Sequence, residues 1–237
     1  MPWVAGVDGC RNGWFVVLRH VESRRVVHRV IRSIKEVLLL PDRPEVVAVD
    51  IPIGLLEHAV KGGRECDRQA RALLGNPRAS SVFTPPVRAA LSATTYEEAC
   101  EMNAASSFLH MRIAQQCFGL FPKLREVDAF MTTERQQAMY EVHPELCFYE
   151  LAGRRPMRQK KKTRGGIDER RAALVGAVLL DDVHFSDAFR FSGAGVDDAL
   201  DAYAACWTAE RIMRGAAVRI PLQAPLDSKG LRMEMWR

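Results

Sequence analysis

The feature that most constrains this chain is a short apolar run that ends on an acid and then recurs. Trp3-Val4-Ala5-Gly6-Val7-Asp8-Gly9 is the first copy. Val46-Val47-Ala48-Val49-Asp50, followed by Ile51-Pro52-Ile53-Gly54, is the second. Runs of this kind read as buried strands. A buried strand that delivers a carboxylate to its own mouth is a common way to build a site at a sheet crevice. A third acidic group, Asp197-Asp198-Ala199-Leu200-Asp201, opens the last long helix. Together the three pieces point to a divalent metal.

The rest of the chain is read around those acids. Trp14 to His20 and Val26 to Ile31 are expected as strands two and three, with Gly9 to Gly13 and Ser23-Arg24-Arg25 as turns. Turns this short make antiparallel hairpins. Ser33 and Glu36 form a capping-box pair for a short helix to about Leu40, stopped by Pro41 and Pro44. The start is therefore β-β-β-α-β, whereas a Rossmann fold alternates from the outset. Residues 55–130 read as helical, with Tyr96 to Asn103 and Ser106 to Cys117 as two of the helices. The prolines exclude a regular helix over Ser80 to Arg88. Ala138 to Val142 is expected as a fifth strand, ended by His143-Pro144-Glu145. Residues 154–171 form a basic segment in which Gly165-Gly166 predicts a mobile loop, and Asp168 then starts a helix through Leu180. Phe191 to Gly195 reads as a flexible lead into a helix from about Asp198 to Met213. A short strand is expected at 217–220, then an irregular tail.

Taken as a whole, this is an α/β chain, one domain over 1–237 with a helical insertion at 55–135. With 34 Lys plus Arg against 29 Asp plus Glu, the charge of +5 permits phosphate or nucleic-acid partners without requiring them. The cysteines at 10, 66, 100, 117, 147 and 206 form no C-x-x-C pair and read as reduced and buried. No apolar run approaches the ~18 residues of a membrane span, and residues 1–10 show no basic segment leading into an apolar one. A cytoplasmic protein without a membrane partner is expected. A homodimer is compatible with the sequence.

Each candidate has a plainer reading beside the chemical one. Asp-Gly is a strong turn signal, so either strand-end aspartate taken alone could be structural. Both in this topology favour Asp8 and Asp50 as ligands for a hard cation. Asp198 and Asp201 share a helical face at i, i+3, and Asp197 and Asp201 at i, i+4. Helix N-terminal acids also complement the macrodipole, which suits Asp197 and Asp198 better than Asp201. His143 and Glu145 could orient water and bind metal, or could simply start a helix. Arg11 and Arg88 sit in loops shaped by glycine or proline and suit bidentate phosphate contacts. Lys161, Lys162 and Arg164 could track a phosphate backbone or form a solvated loop. His20, His28, His58, His110 and His184 read as surface or packing residues.

The β-β-β-α-β opening with its strand-end acids, and D-x-x-D-A-x-A from Asp198 to Ala204, resemble the ribonuclease-H-like superfamily. That last motif is similar to one in bacterial Holliday-junction resolvases. More closely, Gly6 to Trp14, Asp50 to Leu55, Glu141 to Glu145 and Asp198 to Ala202 resemble the domain of unknown function 429, predicted ribonuclease-H-like nucleases. Ser80 to Phe83 and Lys161 to Gly166 fit the same pattern. The resemblance implies a ribonuclease-H-like mixed sheet flanked by helices. It also implies a nuclease in which Asp8, Asp50, Asp198 and Asp201 hold Mg²⁺ or Mn²⁺, with Asp8 bridging two ions. The acid that ribonuclease H proper carries in the helix after strand three has no counterpart, since Glu36 reads as solvent-facing. Nucleic acid is the expected partner. An ATP-using phosphotransferase of the actin and sugar-kinase fold and a non-catalytic nucleic-acid-binding module stand as alternatives.

Overall fold

The structure, a computed structural model, describes residues 2–177 and 194–237. It divides into two compact units. One comprises residues 1–51, 138–218 and 236–237, and the other comprises residues 52–137 and 219–235.

The first unit is a mixed α/β layer pair. Its sheet holds β1 (Trp3–Cys10), β2 (Gly13–His20), β3 (Val26–Ile31), β4 (Val46–Val49) and β5 (Met139–Glu141) in the order β3-β2-β1-β4-β5. β1 and β2 pair antiparallel out to Cys10 and Gly13, so the expected five-residue turn narrows to Arg11-Asn12. β2 and β3 are also antiparallel, while β4 runs parallel to both β1 and β5. The β-branched content of these strands suits burial on a pleated surface. Ser33 and Glu36 form the expected capping box, on a 3₁₀ helix, Ile34–Leu39.

In the second unit lie α1 (Glu65–Leu74), α2 (Tyr96–Ala105), α3 (Gln115–Gly119) and α4 (Phe121–Phe130). The expected helix over Ser106 to Cys117 is corrected, because only its last residues are helical. Asn103 explains the break. Its side-chain amide donates to Met111 O at 2.7 Å while its oxygen accepts from Val87 N at 2.9 Å. These bonds hold the segment beside Asn103 in a compact turn, with His110 at φ 44°. Residues 78–92 form 3₁₀ turns and loop, as the prolines require.

Returning to the first unit, α5 (Pro144–Leu151), α6 (Arg164–Gly176) and α7 (Val196–Met213) complete it. The predicted mobile loop at Gly165-Gly166 is corrected. α6 begins at Arg164, capped by Thr163 Oγ1, which accepts from Gly166 N at 3.1 Å. A Cβ on Gly166 would meet Lys160 O at 1.9 Å, so Gly166 permits a tight helix entry. The tail is not wholly irregular, because β6 (Arg219–Ile220) is followed by β7 (Met235–Trp236), with Trp236 bridged to Val142. Residues 178–193, which hold His184, the end of the helix expected to reach Leu180 and most of the lead at 191–195, lie outside the described residues. All six cysteines are free and buried. Among the described residues no helix is long and apolar enough to cross a membrane.

Candidate metal centre

Parallel pairing brings the first two acids together. Val7 of β1 lies opposite Val49 of β4. Asp8 and Asp50 each follow by one residue, and Asp50 N donates to Val7 O at 2.9 Å. Both carboxylates therefore leave the same edge of the sheet.

The third acid arrives through close packing. Side chains alternate along a strand, so Asp8 projects to the same face as Val4 and Gly6. A Cβ at Gly6 would lie 2.1 Å from both Ala202 O and Cys206 N of α7. Only a residue without a side chain lets the helix backbone rest on β1 there. α7 meets the strand with Ala199, Ala202 and Ala205, all fully buried. That contact sets Asp201, the neighbour of Ala202, beside Asp8. Ligand oxygens of Asp8, Asp50 and Asp201 all lie within 4.8 Å of one another.

The electrostatics are those of an acid cluster only partly compensated by nearby cations. Burial raises the Asp8 carboxyl well above its ordinary range, and Asp50, Asp201 and Asp198 raise it further. Burial, then Asp201 and Glu141, pushes Asp50 up to about 8 against the partial relief of Lys161. Asp201 is also raised by burial, although Lys161 Nζ donates to its Oδ2 at 2.8 Å. Burial alone would lower the Lys161 ammonium, but Asp201, Asp50 and Asp8 outweigh it and hold the amine above its usual value. Two buried carboxylates, Asp8 and Asp201, and the half-buried Asp50 thus face the half-exposed Lys161. Their all-oxygen donor set fits a hard divalent cation, which takes carboxylates and water.

The other candidates are placed as follows. Asp198 is half-buried, its Oδ2 accepts from Gly195 N at 3.1 Å, and burial raises its carboxyl. Asp197 and Asp198 stand in the first turn of α7, where the macrodipole favours acids. His143 caps α5, with Nδ1 accepting from Glu145 N at 3.2 Å. Glu145 is buried and joined to the buried Arg170, while its Oε2 makes no hydrogen bond among the described residues. Arg11, Lys162 and Arg164 are exposed. Arg88 belongs to the second unit, where its guanidinium bonds Asp227, Asp128 at 3.1 Å and Glu57 at 2.9 Å. His28 bonds Tyr203 through Nε2 and is a packing residue.

Sequence reasoning did not single out Glu141 or Arg170. Glu141 ends β5, the third parallel strand, and is buried beside Asp50. The same rule that marked Asp8 and Asp50, an acid closing an apolar strand, would have found it. Arg170 carried no such signal, because its burial depends on the packing of α6 against α5.

A family described as "Protein of unknown function (DUF429)" matches residues 6–225. No curated protein and no solved structure matches the chain.

Proposed function

The chain belongs to the DUF429 family, and on that premise we propose that it is a metal-dependent nuclease hydrolysing phosphodiester bonds on a ribonuclease-H-like scaffold. The observation that carries this reading is the meeting of Asp8, Asp50 and Asp201 at one sheet edge, with ligand oxygens within 4.8 Å of one another. The sheet order β3-β2-β1-β4-β5, antiparallel through the first three strands and parallel beyond, supports the scaffold. The helical segment at 55–135 is an insertion in that scaffold.

Asp8, Asp50 and Asp201 would hold Mg²⁺ or Mn²⁺, with Asp198 at the rim. A divalent ion bound there supplies Lewis-acid charge at a phosphoryl oxygen and lowers the pKa of a bound water. The chain's own part is to position and to balance charge. The sheet fixes Asp8 and Asp50 before any ligand arrives, which removes reorganisation from the reaction. The ammonium of Lys161 stands at the carboxylates on a half-exposed stem, placed to turn toward a non-bridging phosphate oxygen. Arg11, Lys162 and Arg164, all exposed, would contact flanking phosphates through salt-sensitive pairs. Glu145 acts through Arg170 as a positioning residue, and His143 fixes the start of α5.

A phosphate-binding turn of the kinase type is less favoured, because Gly9 N donates to Asp8 Oδ1 at 2.7 Å and is not presented to a ligand. The test uses labelled single- and double-stranded DNA, RNA and hybrids with Mn²⁺ or Mg²⁺. Cleavage is expected with the wild type and absent with Asp8→Asn. Equal cleavage by both proteins would remove the metal site from the reaction. Tight ATP binding without cleavage would move the protein to the phosphotransferases.

A further inference from the structure

A second charged cluster lies at the other end of α7. Arg19, Arg24, Ala177, Trp207, Glu210, Arg211 and Arg214 line a cavity of about 260 Å³. From Asp201 to Glu210 the helix rises roughly 14 Å, at about 1.5 Å per residue, so this cavity is separate from the acid cluster.

Its charge is unbalanced in the opposite sense. Arg19 and Arg214 both pair with Glu210, each with an N–O distance of 2.8 Å. Arg154, Arg211 and Arg237 all turn to Glu150. With Arg24 on the cavity wall, six arginines share two carboxylates among the described residues. Burial lowers the Arg211 guanidinium, and the neighbouring Arg237 and Arg154 add to that effect. Arg24, Arg154 and Arg214 are exposed, but Arg19 is buried and Arg211 nearly so, and an uncompensated buried cation is costly.

Helix dipoles explain part of the cluster. Cations at a helix C-terminus are favourable, and Arg211 Nη2 donates to Ala216 O at 2.8 Å. That account covers Arg211 and Arg214. It does not cover Arg19 of β2 or Arg24 of the turn after it. Nor does it use the donors left over. Arg19 is only 5% exposed, yet among the described residues its buried Nε has no hydrogen-bond partner, its Nη1 being the atom that stands 2.8 Å from Glu210 Oε2. Arg211 Nη1 is likewise buried and unpartnered, while its guanidinium lies 4.6 Å from the Trp207 ring centroid. Buried N–H groups without acceptors call for one. Forked guanidinium donors match the oxygens of phosphate.

We propose that this cavity is a phosphate-binding site, built from Arg19, Arg24, Arg211 and Arg214 beside Trp207 and independent of the carboxylate cluster. The phosphate could belong to a free nucleotide or to a polynucleotide backbone, and the test separates them. The full chain is titrated calorimetrically with pyrophosphate, and then with a short single-stranded oligonucleotide. Arg24→Gln/Arg214→Gln is the test variant, because both side chains are exposed and the buried Arg19–Glu210 pair stays whole. Pyrophosphate is expected to bind, with affinity at least about ten-fold weaker in the double variant, as expected for losing two charge-assisted partners. Asp8→Asn should bind pyrophosphate as the wild type does, even if cleavage is never observed in any protein. Oligonucleotide binding that the double variant weakens would assign the site to a polynucleotide, and weakening confined to pyrophosphate would assign it to a free ligand. No binding, or equal affinity in wild type and double variant, would overturn the proposal.

Discussion

Two buried charge groups in this protein are built on opposite plans. In the second unit, Arg64 and Asp67 are both almost wholly buried and answer one another. Asp67 accepts from Arg64 N at 2.8 Å, Nε at 3.2 Å and Nη2 at 2.8 Å, and Arg64 Nη1 reaches Ile53 O and Gly54 O. In the first unit, Asp8, Asp50 and Asp201 are brought together with Lys161 as their cationic neighbour. The first group holds a fold, and the second keeps like charges close at a cost that a bound cation would relieve. In this protein, then, balance accompanies structure and imbalance accompanies a place for a ligand.

The largest expected effect tests the balanced group. Asp67→Ala leaves a buried guanidinium without its partner, a change that typically costs about 3–5 kcal/mol. The melting temperature should fall by roughly 10 °C on the usual scale for domains of this size. A loss of a degree or two would mean that the pair is not a structural clamp.

The unbalanced group should respond with the opposite sign. Metal-free Asp8→Asn should melt at or above the wild-type temperature at pH 8, because an amide neither ionises beside the other acids nor has to take up a proton on folding. Mn²⁺ at about a hundred times its dissociation constant should stabilise the wild type by about 2.7 kcal/mol and leave the variant unmoved. A variant that is both less stable and still shifted by Mn²⁺ would break the contrast.

An effect of similar size is expected from pH, and its sign follows from the raised carboxyls. The folded Asp50 keeps its proton up to about 8, against the ordinary 3.8. Over that window the folded state binds more protons than the unfolded chain, so metal-free stability should fall as pH rises from about 4 to about 8. Saturating Mn²⁺ displaces the proton and should flatten the fall. Melting curves across this range, with and without Mn²⁺, check it. A metal-free stability that rises with pH would show that the carboxylates are compensated after all.

Much of the scaffold was legible in the residues. β3 matched its expected bounds, and the acids closing β1 and β4 announced themselves because a carboxylate is out of place after an apolar run. Local order served less well where a distant partner decides the backbone. Ser106 to Cys117 has acceptable helical composition, yet Asn103 ties the segment into a turn through Met111 and Val87. Gly165-Gly166 looks like a hinge in isolation, but the Thr163 cap and the approach of Lys160 O draw it into a helix. Arg88 and Lys161 were alike as candidate phosphate contacts. One is enclosed by Asp227, Asp128 and Glu57, and the other reaches Asp201.

The amino-acid order by itself determined the strands, their hairpins and the two acids at strand ends, because these follow from period-2 burial and short turns. It also placed a third set of acids on the last helix. Which of those acids meets Asp8 was decided only in three dimensions. The deciding contact is the bare Cα of Gly6 against the backbone of Ala202 and Cys206, which sets helix rotation and depth together. The arginine cavity likewise exists only in the fold, since Arg19 and Arg24 lie far along the chain from Arg211 and Arg214, and charge imbalance is a property of what packing gathers.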